Sequence, residues 1–140
     1  MKPRLNIVTI GVNDLRVSRN FYKKALDWEP ADSSDENIVF YKQQGIILAL
    51  YPMDKLAEDA MLSSERSGFS GVTLAINLQS KEQVDSLFEQ VIRNGGKSLV
   101  APRETFWGGY DAYFADPDGH TWEIAWAPFW VFDEQGSLML

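Results

Sequence analysis

Apolar and polar positions change period twice along this chain, and the same change recurs in its second half. Leu5-Asn-Ile-Val-Thr-Ile-Gly-Val12 alternates as a strand does, placing Val8, Ile10 and Val12 on one face. Asp14 then stands as an N-cap, and Leu15, Val17, Ser18, Phe21, Tyr22, Ala25 and Leu26 form a helical stripe. Short strands are predicted at Trp28–Ser33, Ile38–Tyr41 and Ile46–Tyr51. In the second half, Gly71–Asn77 repeats the first strand with Val72, Leu74 and Ile76 as its apolar face. Ser80 takes the place of Asp14, and Gln83 three residues later completes a capping box. The helix Lys81–Asn94 carries Val84, Leu87, Phe88, Val91 and Ile92 and stops at Gly95-Gly96. Strands Lys97–Val100, Gly109–Ala115 and Thr121–Ala127 follow.

Matching caps and apolar registers at one fixed offset predict an internal repeat in a single α+β domain. Residues 1–52 form the first βαβββ unit, 53–68 a short helix and linker, 69–127 the second unit, and 128–140 an aromatic tail. Each helix covers one face of its sheet, and the opposite faces are expected to curve together around a central cleft.

The last two strands flank Asp116-Pro117-Asp118-Gly119, a tight reversal: Pro fixes one φ, Asp folds back onto the backbone, and Gly accepts a positive φ. Period two sends Trp122, Ile124 and Trp126 to a bulky apolar face and Thr121, Glu123 and Ala125 to the other. A lone carboxylate among small residues is the pattern of a strand lining a cavity. Read alone, the same segment is a surface turn with a solvated glutamate.

Composition narrows the classes. The 140 residues, 45% hydrophobic and 24% charged, are those of one ordinary globular domain. No apolar run approaches the roughly 20 residues that span a bilayer, and the N-terminus has no signal-peptide pattern. Without cysteine there is no disulfide, thiolate metal site or cysteine nucleophile. The expectation is a cytoplasmic protein without membrane partners. A net charge of −7 with scattered basic residues disfavours nucleic acid. There is no Gly-x-Ser-x-Gly element and no phosphate-cradling glycine loop.

Val12-Asn-Asp-Leu-Arg-Val-Ser-Arg-Asn-Phe-Tyr22, the paired units, and Asp116-Pro-Asp-Gly-His-Thr-Trp-Glu123 together resemble the vicinal oxygen chelate superfamily. That group includes glyoxalase I, extradiol dioxygenases, fosfomycin-resistance thiol transferases and bleomycin-binding proteins. The resemblance covers nearly the whole chain and implies a fold rather than one reaction. It also implies a divalent metal held by His, Glu or Gln from four strands. The matching positions here are Ile7, Leu48, Gly71 and Glu123, and only the last carries a donor side chain. An open metal site usually needs three protein donors, so no metal cofactor is expected. Asp111, sharing the cleft with Glu123, would give two carboxylates able to hold a cation weakly. His120, the sole histidine, falls on the Trp122 face and reads as a turn-edge imidazole, exposed or bonded to backbone.

With Glu123 inward, the parity places Ile7, Thr9, Leu48, Leu50, Gly71, Thr73, Thr121 and Ala125 in the cleft. The fosfomycin-resistance branch implies substrate contacts at Thr9 and Tyr113, which brings Asp111 inward with Tyr113. In the loop 102–109, Phe106 and Trp107 before Gly108-Gly109 are expected at the cleft mouth, with Arg103 ready for an anionic group. A mainly apolar cavity with few polar groups suits a small organic molecule, and desolvation would raise Glu123 toward general-base duty.

Trp126, Phe129, Trp130 and Phe132 are too apolar to hang in water, so they pack on their own domain or on a second subunit. Together with the resemblance they predict a homodimer. Two functions follow: a metal-independent protein that binds or sequesters a small molecule, or a lyase, isomerase or transferase using Glu123 as base or as ligand of a weak metal site.

Overall fold

The computed structural model describes residues 1–140. The first unit runs β1 (Ile7–Val12), α1 (Leu15–Leu26), β2 (Val39–Lys42), β3 (Ile47–Pro52), and a short helix α2 (Met53–Asp59) follows. The second runs β4 (Leu74–Asn77), α3 (Lys81–Arg93), β5 (Lys97–Glu104), β6 (Tyr110–Ala115) and β7 (Thr121–Trp126). The tail closes on itself as β8 (Val131–Phe132) and β9 (Leu138–Met139). This is an α+β fold of two curved sheets, ordered β1-β3-β2 and β4-β7-β6-β5, plus the tail hairpin.

Both long helices start where their caps direct. The Asp14 carboxylate accepts from the Val17 N–H at 3.1 Å, and the Ser80 hydroxyl accepts from Gln83 N–H at 3.1 Å. Gln83 reaches back to the Gln79 N–H at 2.8 Å, one residue before the expected capping-box partner. α1 ends on Asp27 in the left-handed region (φ 57°). Trp28–Ser33, expected as a strand, therefore leaves the helix through a turn, and Pro30 has no N–H to give a ladder. Only Ala31 pairs there, its N–H donating to Phe40 C=O at 2.7 Å. β4 begins at Leu74, three residues later than the periodicity predicts, and β5 continues through Arg103 to Glu104 with two register shifts against β6.

One core unites the two units. Ile10, Val12, Leu48 and Leu50 of the first sheet share it with Phe114, Trp122 and Ile124 of the second, and Phe21, Tyr22, Val84, Phe88 and Val91 of the helices lie between. Helix α1 packs directly on α3. The sheets thus turn their helix-covered faces toward one another. The Thr9 face of β1 and the Glu123 face of β7 look outward, and Ile7 keeps 45% of its surface.

Candidate functional site

The Asp116–Gly119 turn does more than reverse the chain. Gly119 adopts φ 81°, the conformation the sequence requires of it. One Asp116 carboxylate oxygen accepts from the N–H groups of Asp118 and His120, both at 2.9 Å, and fixes the turn from within. The other accepts from the buried Tyr22 hydroxyl at 2.6 Å, which in turn accepts from Trp122 Nε1 at 3.0 Å. Asp118 reaches the first unit directly, accepting from Asn13 N–H at 2.7 Å and from Ser18 Oγ at 2.9 Å. His120 Nε2 lies 2.6 Å from the Gly11 carbonyl, which can only accept, so that nitrogen carries the proton. The hairpin that presents Glu123 is thereby bolted to the β1–α1 junction. Burial raises Asp116 above its ordinary value, opposed by the Tyr22 hydrogen bond, and the same burial, with Asp116 beside it, raises Tyr22.

From this anchored hairpin Trp122 turns inward, 4% exposed, and Glu123 turns to the other face, half-buried. Glu123 pairs across the ladder with Tyr113, and Asp111 with Ala125. Desolvation raises Glu123 above the usual glutamate range; the Tyr113 hydroxyl draws it down and the Asp111 carboxylate pushes it up. Tyr113 is itself raised to about 12, first by burial and then by Glu123. Asp111 is buried and accepts from Arg103 Nε at 3.4 Å, and Arg103 is its cross-strand partner on β5.

The aromatic loop closes one end of this face. Gly109 continues the alternation of Asp111 and Tyr113, and a Cβ there would lie 2.0 Å from the Trp107 ring, so the indole rests on the bare backbone. Thr105 ties the loop shut, its N–H donating to Gly109 C=O and its hydroxyl accepting from Gly109 N–H. Trp107 packs edge-on against Phe129, with centroids 6.4 Å apart, and at 5.8 Å from Trp130. Phe106, expected at the same mouth, points fully into solvent.

Glu123, Asp111, Tyr113, Thr121, Ala125, Arg103 and Trp107 therefore belong to one region. Ile7 and Thr9 do not join them within the chain, because the shared core stands between. Leu48 and Leu50 are corrected as neighbours of Glu123: Leu50 faces the core at 0% exposure, and Leu48, at 5%, faces the core and the cavity between the units. Ile7 pairs with Ile47 and Thr9 with Ala49, so Ile47, Ala49 and Tyr51 share the outward face instead. Ile47-Leu-Ala-Leu-Tyr51 is apolar at every position, and such a run has no alternation to reveal its faces. Gly71, Val72 and Thr73 are exposed and precede β4. No three His, Cys, Asp or Glu side chains gather as a metal-holding group.

A separate cavity of about 610 Å³ opens between the units, on the opposite side of β7. Val8, Leu48, Trp28, Leu74 and Trp122 wall it, and Phe132 and Leu138 of the tail border it. Phe132 thus packs on its own domain, one of the two places its apolar character allows, at the border of this cavity.

Residues 4–124 match the family described as the Glyoxalase/Bleomycin resistance protein/Dioxygenase superfamily. The chain is 26% identical over 121 residues to the metallothiol transferase FosB of Bacillus licheniformis, covering 86% of this chain and 73% of that protein. The crystal structure of a glyoxalase-related enzyme from Fulvimarina pelagi superposes with a TM-score of 0.90 at 33% identity, covering 98% of this chain and 97% of that one. A glyoxalase/bleomycin resistance protein/dioxygenase family enzyme from Burkholderia phytofirmans shares the fold at a TM-score of 0.81 and 23% identity, over 89% of this chain and 99% of that one. Together with the paired units and the anchored Asp116–Glu123 hairpin, these matches place the chain in the glyoxalase/bleomycin resistance protein/dioxygenase superfamily.

Proposed function

We propose that this protein binds a small organic molecule on the Glu123 face and does so without a catalytic metal. The observation that carries the reading is the donor set. Glu123 has Tyr113 and the Arg103-paired Asp111 as polar neighbours, while Ile7 and Ala49 supply no donors to the matching face of the first sheet. Two carboxylates, one already paired, do not fit a divalent ion that wants three protein ligands. They do suit a ligand offering a hydrogen-bond donor to Glu123 and a flat apolar part to Trp107.

The reading includes a homodimer. Thr121, Glu123 and Tyr113 are only half-buried in the single chain, and Ile7, Val72, Phe69 and Phe129 are 45%, 59%, 69% and 62% exposed. A second copy would cover these side chains and roof the site, with its own Thr9 face as one suitable wall.

A second reading, a lyase, isomerase or transferase, is favoured by the raised Glu123 beside Tyr113, a carboxylate poised nearer neutrality for proton transfer. The likeness to a metallothiol transferase agrees with it. A thermal-shift screen against metabolites tests binding, because a ligand of the native state stabilises it by RT ln(1 + [L]/Kd). A compound that stabilises the wild type but not Glu123→Ala supports the site, and turnover of that compound by the wild type selects the second reading. About one divalent metal per purified chain by elemental analysis would overturn the metal-free reading.

A further inference from the structure

The cavity between the units differs in chemistry from the Glu123 face. Its apolar walls include the indoles of Trp28 and Trp122, which meet edge-on with centroids 5.6 Å apart. Its polar side chains are Gln43, Gln44, Asn77, Gln135 and Ser137, and no charged residue lines it. An ion entering it would lose hydration with no countercharge in return. An uncharged molecule has no such cost.

The strand β4 gives the cavity a second property. Leu74, Ala75, Ile76 and Asn77 all line it, four consecutive residues of one strand. Side chains on a strand alternate between faces, so contact with all four means that the cavity runs along the strand's edge. β4 is the end strand of its sheet and pairs only with β7. The backbone N–H and C=O groups on its other side are therefore directed toward the cavity, a donor–acceptor row like that which captures peptides at open sheet edges. The tail borders the same space through Phe132 and Gln135–Leu138. Its hairpin is held by Asp133, whose carboxylate accepts from the N–H groups of Gln135 and Ser137 at 2.9 and 2.8 Å.

We propose that this cavity is a second ligand site, independent of Glu123, for a flat, uncharged molecule carrying adjacent N–H and C=O groups, a lactam or cyclic imide. The ring lies against the Trp28–Trp122 pair and the amide edge hydrogen-bonds to the free edge of β4. Trp122 and Glu123 are neighbours on β7 facing opposite ways, so the two sites share a strand without sharing a side chain.

The test is calorimetric titration of the full-length protein with 2-quinolinone, an uncharged bicyclic lactam. Expected is saturable binding of one molecule per chain, at least tenfold weaker for coumarin, its lactone analogue without the N–H. Ser137→Trp and Val8→Phe fill the cavity from the tail and from β1. Each should weaken 2-quinolinone at least tenfold in a protein whose circular dichroism and melting temperature match the wild type, while Glu123→Gln leaves it unchanged. If one plug disturbs folding, the other decides. Absence of saturable binding, equal affinity for coumarin, indifference to a folded plug variant, or loss of binding in Glu123→Gln would each overturn the proposal. The last outcome would move the ligand to the Glu123 face and leave the reading of that face standing.

Discussion

Glu123 holds its charge at a cost, because desolvation and the nearby Asp111 both favour its neutral form. Its pKa in the native state is raised, so between the ordinary glutamate value and the raised one the native state binds more protons than the unfolded chain. Stability from this group is then greatest at low pH and falls as pH rises through that window. Glu123→Gln removes the dependence. The variant should melt close to the wild type near pH 4 and above it near pH 7.5; a gap that is constant across that range in paired thermal melts would contradict the assignment. Tyr41 offers a second check. Its hydroxyl is buried without a hydrogen-bond partner, and burial raises it to about 12. Tyr41→Phe deletes that orphan and keeps the ring contacts with Tyr22 and Trp28 at 5.8 Å each. Chemical denaturation should find it equal to the wild type or more stable by about 1 kcal/mol. A loss of 2 kcal/mol or more would mean that the hydroxyl has a partner after all.

Among the elements, the β6–β7 hairpin connects sequence to site most directly. Its turn takes hydrogen bonds from Asn13 and Ser18 through Asp118 and from Tyr22 through Asp116. These bonds cross between units far apart in sequence, so they fix how the units sit as well as where Glu123 points. Asp118→Ala removes both of its bridges and should cost about 1–3 kcal/mol, since the Asn13 N–H and Ser18 hydroxyl lose their acceptor. Pro117→Ala, at an exposed turn position with no N–H to lose, should cost well under that. Similar urea midpoints for the two variants would remove the turn from its role as an anchor. The loop 105–109 is likewise shaped by contact: Gly109 is the residue that lets Trp107 lie flat on the strand, and any larger residue there must displace the ring.

At the scale of the whole molecule, the tail answers to two surfaces. Phe132 and Leu138 border the inter-unit cavity, while Phe129 and Trp130 pack on Trp107. Removing Pro128–Leu140 should therefore loosen the Trp107 end of the Glu123 face and expose the cavity together. If a second copy covers Phe129 and the open sheet faces, the truncated chain should also sediment as a monomer at concentrations where the full-length protein is a dimer. Full-length protein sedimenting as a monomer at micromolar concentration would remove the dimer from the proposed function, leaving the tail as a cover for its own chain.

The sequence by itself determined what local chemistry controls. Asp14 and Ser80 start helices because their oxygens satisfy free N–H groups within three residues, Gly119 turns the hairpin because it tolerates positive φ, and Trp122 and Glu123 part because strands alternate. Those rules act over a few residues and are written in residue type. They made the two units, the hairpin and the opposed faces of Trp122 and Glu123 legible, while the grouping of Tyr113 and Asp111 with Glu123 came from the family resemblance. Tertiary structure alone decided what depends on residues distant in sequence. Leu48 and Leu50 turned away from Glu123 because β3 is apolar throughout, and only its pairing with β1 on one side and β2 on the other sets which way each side chain points. Trp28–Ser33 stayed out of the sheet because a left-handed Asp27 and Pro30 outweighed its pattern. Ile7 and Thr9 parted from Glu123 because both helix-covered faces sank into one core, and burying them together left the opposite faces pointing away from each other.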